Sequence, residues 1–64
     1  MDNELLNELA QIERKTFSFT LRENPRGRFL RITEDVSGRR DTIIIPSTGL
    51  DTVLSILKKV IQAD

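Results

Sequence analysis

Cysteine and histidine are both absent from the 64-residue chain, which removes disulfides, thiolate nucleophiles and the usual zinc ligands. Without either residue there is no nucleophile–base pair, and Ser18, Ser37, Ser47 and Ser55 lack signature neighbours. Glycine occurs only three times, and no phosphate-cradling glycine loop is formed. The carboxylates are scattered over turns and ends rather than gathered for general acid–base work. These absences predict a non-enzymatic chain with no cofactor, no metal and no small-molecule substrate. No apolar run approaches eighteen residues, and no basic start leads into an apolar stretch. Neither a membrane span nor a secretory signal is expected. The default location is cytoplasmic, nucleoid-associated in a bacterium or nuclear in a eukaryote.

Residues 1–64 suffice for one domain, without internal repeat, low-complexity tract or linker. A domain of this size buries a modest fraction of its surface and is marginal alone. With no disulfide or metal to staple it, self-association is the remaining route to burial, most simply a two-fold dimer.

Formal net charge is zero, ten basic residues against ten acidic, so no global argument for a polyanionic ligand holds. The distribution differs from the sum. Residues 14–40 carry Arg14, Lys15, Arg22, Arg26, Arg28, Arg31, Arg39 and Arg40 against Glu23, Glu34 and Asp35, eight against three for a net of +5. The flanks carry Lys58 and Lys59 against seven acids, a net of −5. Such segregation along the chain is what polyanion binding requires.

The segment Arg22–Asp35 organises the chain. Asn24-Pro25-Arg26-Gly27 is a turn signal: Pro25 pre-sets one backbone angle, Gly27 permits a positive one, and Asn24 can bond its own backbone. Phe17, Phe19 and Leu21 alternate with Ser18, Thr20 and Arg22, so 15–23 reads as a strand with one core face. After the turn, 28–34 alternates again, with Leu30 and Ile32 on one side and Phe29, Arg31 and Thr33 on the other. The two strands should pair as a hairpin. A ring on the arginine-bearing face is the anomaly, since aromatics there can stack on unpaired bases; the other reading places Phe29 in the core.

Upstream, Leu5, Leu6, Leu9 and Ile12 fall at spacings that suit one face of a helix, while 10–13 also alternates as a short strand would. Downstream, Ser37-Gly38 is a second turn signal. A strand over 42–46 follows, whose three consecutive isoleucines imply burial on both faces, and Pro46 ends it. A helix then begins near Ser47 or Thr48 as N-cap, with Asp51 completing a capping box after Thr48. Leu50, Val53, Leu54, Leu57, Val60 and Ile61 form its apolar stripe, broader than one small sheet needs. They are the expected dimer interface.

Two stretches, TFSFTLRENPRGRFLRITED (16–35) and TIIIPSTGLDTVLSILKKVI (42–61), resemble a single repeat of the PUR family of purine-rich single-strand-binding proteins. Residues 16–35 are similar to the family's alternating aromatic strand, basic-x-Asn turn and Arg/Lys-Gly-Arg-Phe-Leu-Arg/Lys-Ile run. Residues 42–61 are similar to its last strand, Pro-x-x-Gly-Leu connection and C-terminal helix. The likeness covers about 8–62. It implies an α+β fold, a four-stranded antiparallel sheet followed by one helix, related to the Whirly fold, with two repeats intertwined and each helix packed on the partner's sheet. It also implies a first strand near 8–13, where the pattern of leucines leans to helix; residues 1–7 stay open. By the same resemblance Arg22, Asn24, Arg26 and Phe29 contact single-stranded DNA or RNA, with a purine preference.

The expected function is therefore a homodimeric single-stranded DNA/RNA-binding module in transcription or nucleic-acid regulation. Arg22, Arg26, Arg28 and Arg31 would hold phosphates, helped by Lys15, Arg39 and Arg40; Asn24 would bond bases and Phe29 stack. Arginine suits the task because its planar fork pairs with phosphate oxygens and its face stacks on bases. The competing reading is a protein-interaction or dimerisation domain whose basic hairpin meets an acidic partner.

Overall fold

The computed structural model describes residues 2–64. Four strands, β1 (Asn3–Ile12), β2 (Lys15–Asn24), β3 (Gly27–Val36) and β4 (Arg39–Pro46), form an antiparallel meander in chain order. A 3-10 turn over Ser47–Gly49 leads into helix α1 (Leu50–Ala63). The expected four-stranded sheet with one C-terminal helix is the fold observed.

Each strand is joined to the next by a two-residue turn. Between β2 and β3 the Arg26 N–H donates to Asn24 Oδ1 at 2.9 Å, and Gly27 takes a φ of 129° that other residues rarely adopt. Between β3 and β4 both Ser37 (φ 52°) and Gly38 (φ 85°) are left-handed, matching the twist of the strands they join. The Gly38 N–H is held by Asp35 Oδ1 at 3.2 Å.

Register sorts the side chains onto two faces. One face carries the cross-strand rows Asn3–Glu23–Arg28, Leu6–Leu21–Leu30–Ile45, Glu8–Phe19–Ile32–Ile43 and Ala10–Phe17–Glu34–Asp41, with the pairs Ile12–Lys15 and Val36–Arg39 at the far end; its centre is apolar. The rows of the other, polar face are Glu4–Arg22–Phe29–Pro46, Asn7–Thr20–Arg31–Ile44, Leu9–Ser18–Thr33–Thr42 and Gln11–Thr16–Asp35–Arg40.

The N-terminal segment is a strand of full length, not a helix. A register shift between Glu4 and Leu6 leaves Leu5 as an extra residue, a bulge that also breaks the ladder near the open edge. Leu6, Ala10 and Ile12 then lie on the apolar face and Leu9 on the polar one. The helix-like leucine spacing comes from that extra residue.

Two other expectations are corrected. The capping box does not form: Gly49 is the N-cap, no side chain caps α1, and Ser47 and Thr48 belong to the 3-10 turn. Asp51 does lie in the first helical turn, where its charge suits the helix dipole. The isoleucine run is not buried on both faces, because β4 is an edge strand; Ile43 is 58% and Ile44 60% exposed.

Among the described residues no apolar side chain is buried, and Thr20 alone is enclosed, at 4% exposure. Phe17 and Phe19 are only half-buried. On α1, Leu54, Leu57, Val60 and Ile61 are half or more exposed, while Leu50 and Val53 are partly covered. The helix stripe and the apolar sheet face are thus both left without a cover within one chain.

Candidate nucleic-acid interface

The hairpin β2–β3 brings Arg22, Asn24, Arg26, Phe29 and Arg31 to one end of the polar face. Period-two alternation puts Arg22, Phe29 and Arg31 there, with Arg22 directly opposite Phe29. Phe29 is therefore not a residue of the apolar face, and it is partly rather than fully covered. A shallow depression at this end is lined by Asn24, Arg26, Gly27, Arg28, Phe29, Ile44 and Pro46. The Asn24 side-chain oxygen is occupied by the turn, which leaves its amide NH2 to donate to a ligand.

The remaining candidates divide. Arg40 lies on the polar face at the far end, its Nε donating to Asp35 Oδ2 at 3.1 Å. Lys15 and Arg39 fall at the far end on the apolar face by register, and Arg28 shares that face but sits at the hairpin end, where it lines the depression. Arg28 Nε donates to Glu23 Oε2 at 3.0 Å, and Lys15 Nζ lies 2.8 Å from Glu34 Oε2. The hydrogen bond and charge of Glu34 hold the Lys15 ammonium above its ordinary range, so it stays charged through neutral pH and beyond.

Arg22 has partners that sequence reading missed. Its Nε stands 3.6 Å from Asp2 Oδ2 and one terminal nitrogen 3.6 Å from Glu4 Oε1. The Nε–H is enclosed without a hydrogen-bond partner, so its carboxylate neighbours are close enough for charge but too far for the bond. Among the described residues, Arg14, Arg26, Arg31 and Arg39 make no ion pair. Two of these, Arg26 and Arg31, flank Phe29.

The face between the two ends is a band of hydroxyls, Thr16, Ser18, Thr20, Thr33 and Thr42, with the Thr33 and Thr42 hydroxyls 3.0 Å apart. Chemically the surface offers unpaired guanidinium groups beside an aromatic ring and an amide donor. That set suits an anionic chain with planar, polar rings.

A family model described as PurA ssDNA and RNA-binding protein matches residues 2–63. The protein called transcription factor Pur-alpha 1, of Arabidopsis thaliana, is 43% identical over 63 residues, 98% of this chain and 21% of that protein. The chain thus spans about a fifth of the length of the curated relative it matches. No solved structure matches it.

Proposed function

The chain belongs to the PurA ssDNA and RNA-binding protein family, and from that premise we propose that it is a non-enzymatic module holding single-stranded DNA or RNA across the hairpin end of its polar face. Arg26 and Arg31 pair with phosphates, Arg22 joins them when Asp2 and Glu4 give way, Asn24 donates to base acceptors, and Phe29 stacks. Arg28, which lines the depression at the hairpin end, joins Arg26 and Arg31 when Glu23 gives way, while Arg40 and Lys15, paired with Asp35 and Glu34 at the far end, contribute field rather than contact. Arg39 lies on the opposite face and adds only to the local charge. Transcriptional regulation and a purine preference follow the family and its relative.

The observation that carries this reading is the position of Phe29, on the same face as Arg22 and Arg31 and away from the apolar rows. A ring so placed adds little to a core and is available to an unpaired base. Base stacking of this kind contributes ~1–3 kcal/mol per base. Phe29→Ala should weaken single-strand binding by about that amount in fluorescence anisotropy, with an unchanged circular dichroism spectrum. A variant that unfolds places the ring in the core and ends the stacking account.

The working unit we propose is a homodimer. Exposed apolar side chains on the helix, Leu54, Leu57, Val60 and Ile61, face no partner in their own chain, and on the apolar rows of the sheet Leu6, Ile12 and Ile43 are exposed while the central residues are only partly covered. Two chains that lay each helix stripe on the other's sheet satisfy both surfaces at once, by a closed two-fold contact. Leu50 and Val53 continue the same stripe. A sedimentation experiment showing a folded monomer at micromolar concentration would contradict it.

A further inference from the structure

Ile44 is out of place for a core residue. It sits in the row Asn7–Thr20–Arg31–Ile44, directly opposite Arg31, on the face that carries the arginines and hydroxyls. It is 60% exposed. The chain turns away from this face after β4: a Cβ added to Gly49 would meet the Ile45 side chain at 4.0 Å, and Ile45 belongs to the apolar rows. At that exposure Ile44 is left open by its own chain.

Its neighbours are informative. Pro46 is the next residue of β4 on this face, and Phe29 is the cross-strand partner of Pro46. Ile44 and Phe29 are diagonal neighbours, within reach of each other's side chains in an antiparallel pair. With Asn24 and Arg26 the three line one shallow depression. An apolar surface of this kind, open to water, lined by Arg26 and Arg28 and with Arg31 opposite Ile44, suits an occupant with flat ring faces, polar ring edges and an anionic backbone.

We propose that Ile44 is a base-contact residue: with Phe29 and Pro46 it forms an apolar shelf on which one nucleobase of a single strand lies, while Arg31 beside it holds the adjoining phosphate. The shelf rests on the single-strand-binding reading above and extends it from β3 to β4. Ile43 and Ile44, adjacent in sequence, then have separate tasks, Ile43 in covering the apolar face and Ile44 in binding.

Neighbouring variants separate these tasks. Ile44→Ala and Ile44→Thr, the second keeping a β-branched side chain, should each weaken binding of a short labelled single-stranded oligonucleotide by roughly fivefold or more. The dimer mass in sedimentation should be unchanged. Because the contact is apolar, the slope of log affinity against log salt should match the wild type, whereas Arg31→Ala should make it shallower. Ile43→Ala should instead lower thermal stability or dimer mass. Wild-type affinity in both Ile44 variants, or loss of dimer mass on their substitution, overturns the shelf while leaving the single-strand reading in place. A wild-type chain that binds no single strand overturns both.

Discussion

Arg22 meets two carboxylates of its own chain, and those contacts compete with any phosphate. Asp2 and Glu4 stand at 3.6 Å from its guanidinium, with half-exposed side chains that can swing away into water. Exposed ion pairs contribute about 0.2–1 kcal/mol, so the competition is mild. Glu4→Gln combined with Asp2→Asn should therefore tighten single-strand binding by roughly two- to fivefold, most visibly at low salt. An unchanged affinity would mean that Arg22 does not reach the ligand. The partnership was not legible in the sequence, because it depends on the register of β1 against β2, which a bulge at Leu5 alters. Phe29 and Arg31 were legible, since both sit in a strand whose period-two pattern is unbroken. Ile44 was not: a run of three isoleucines reads as burial on both sides, and only the edge position of β4 shows that one side is open.

At the scale of elements, β2, β3 and the turn between them follow from alternation and from Asn24, Pro25 and Gly27. The helix stripe follows equally well, while its start does not, because Pro46 leads into a 3-10 turn that takes Ser47 and Thr48 out of capping position. The Ser37-Gly38 turn carries a residue poorly suited to its backbone. Ser37 holds a φ of 52°, where asparagine is better tolerated. Ser37→Asn should raise stability by about 0.5 kcal/mol without affecting binding, readable as a small upward shift of the melting temperature. A lowered melting temperature would show that the turn is not of this type in solution.

For the whole molecule, a 64-residue chain without one buried apolar side chain among its described residues cannot draw its stability from its own interior. Burial is the dominant favourable contribution to folding, and in the proposed dimer the missing burial is supplied between copies. Leu57 measures this directly. It is 50% exposed in the single chain, and a substitution to aspartate on a true surface changes stability by no more than about 0.5 kcal/mol. In the proposed dimer Leu57→Asp should abolish cooperative unfolding and the dimer mass together. A variant that melts like the wild type would return this face to solvent. The proposed dimer would also double the basic end of the polar face, so that a neutral chain would present two positive sites to one strand. If Arg22, Arg26 and Arg31 of each copy meet phosphates, log affinity should fall against log salt with a slope of about −4.

The binding claim is tested most directly by anisotropy titrations of labelled purine-rich, pyrimidine-rich and duplex oligonucleotides at low and near-physiological salt. The prediction is tighter binding to a single strand than to duplex, weakening with salt at about that slope. Failure to bind any single strand even at low salt would contradict it, and would leave the basic hairpin as a surface for an acidic protein partner.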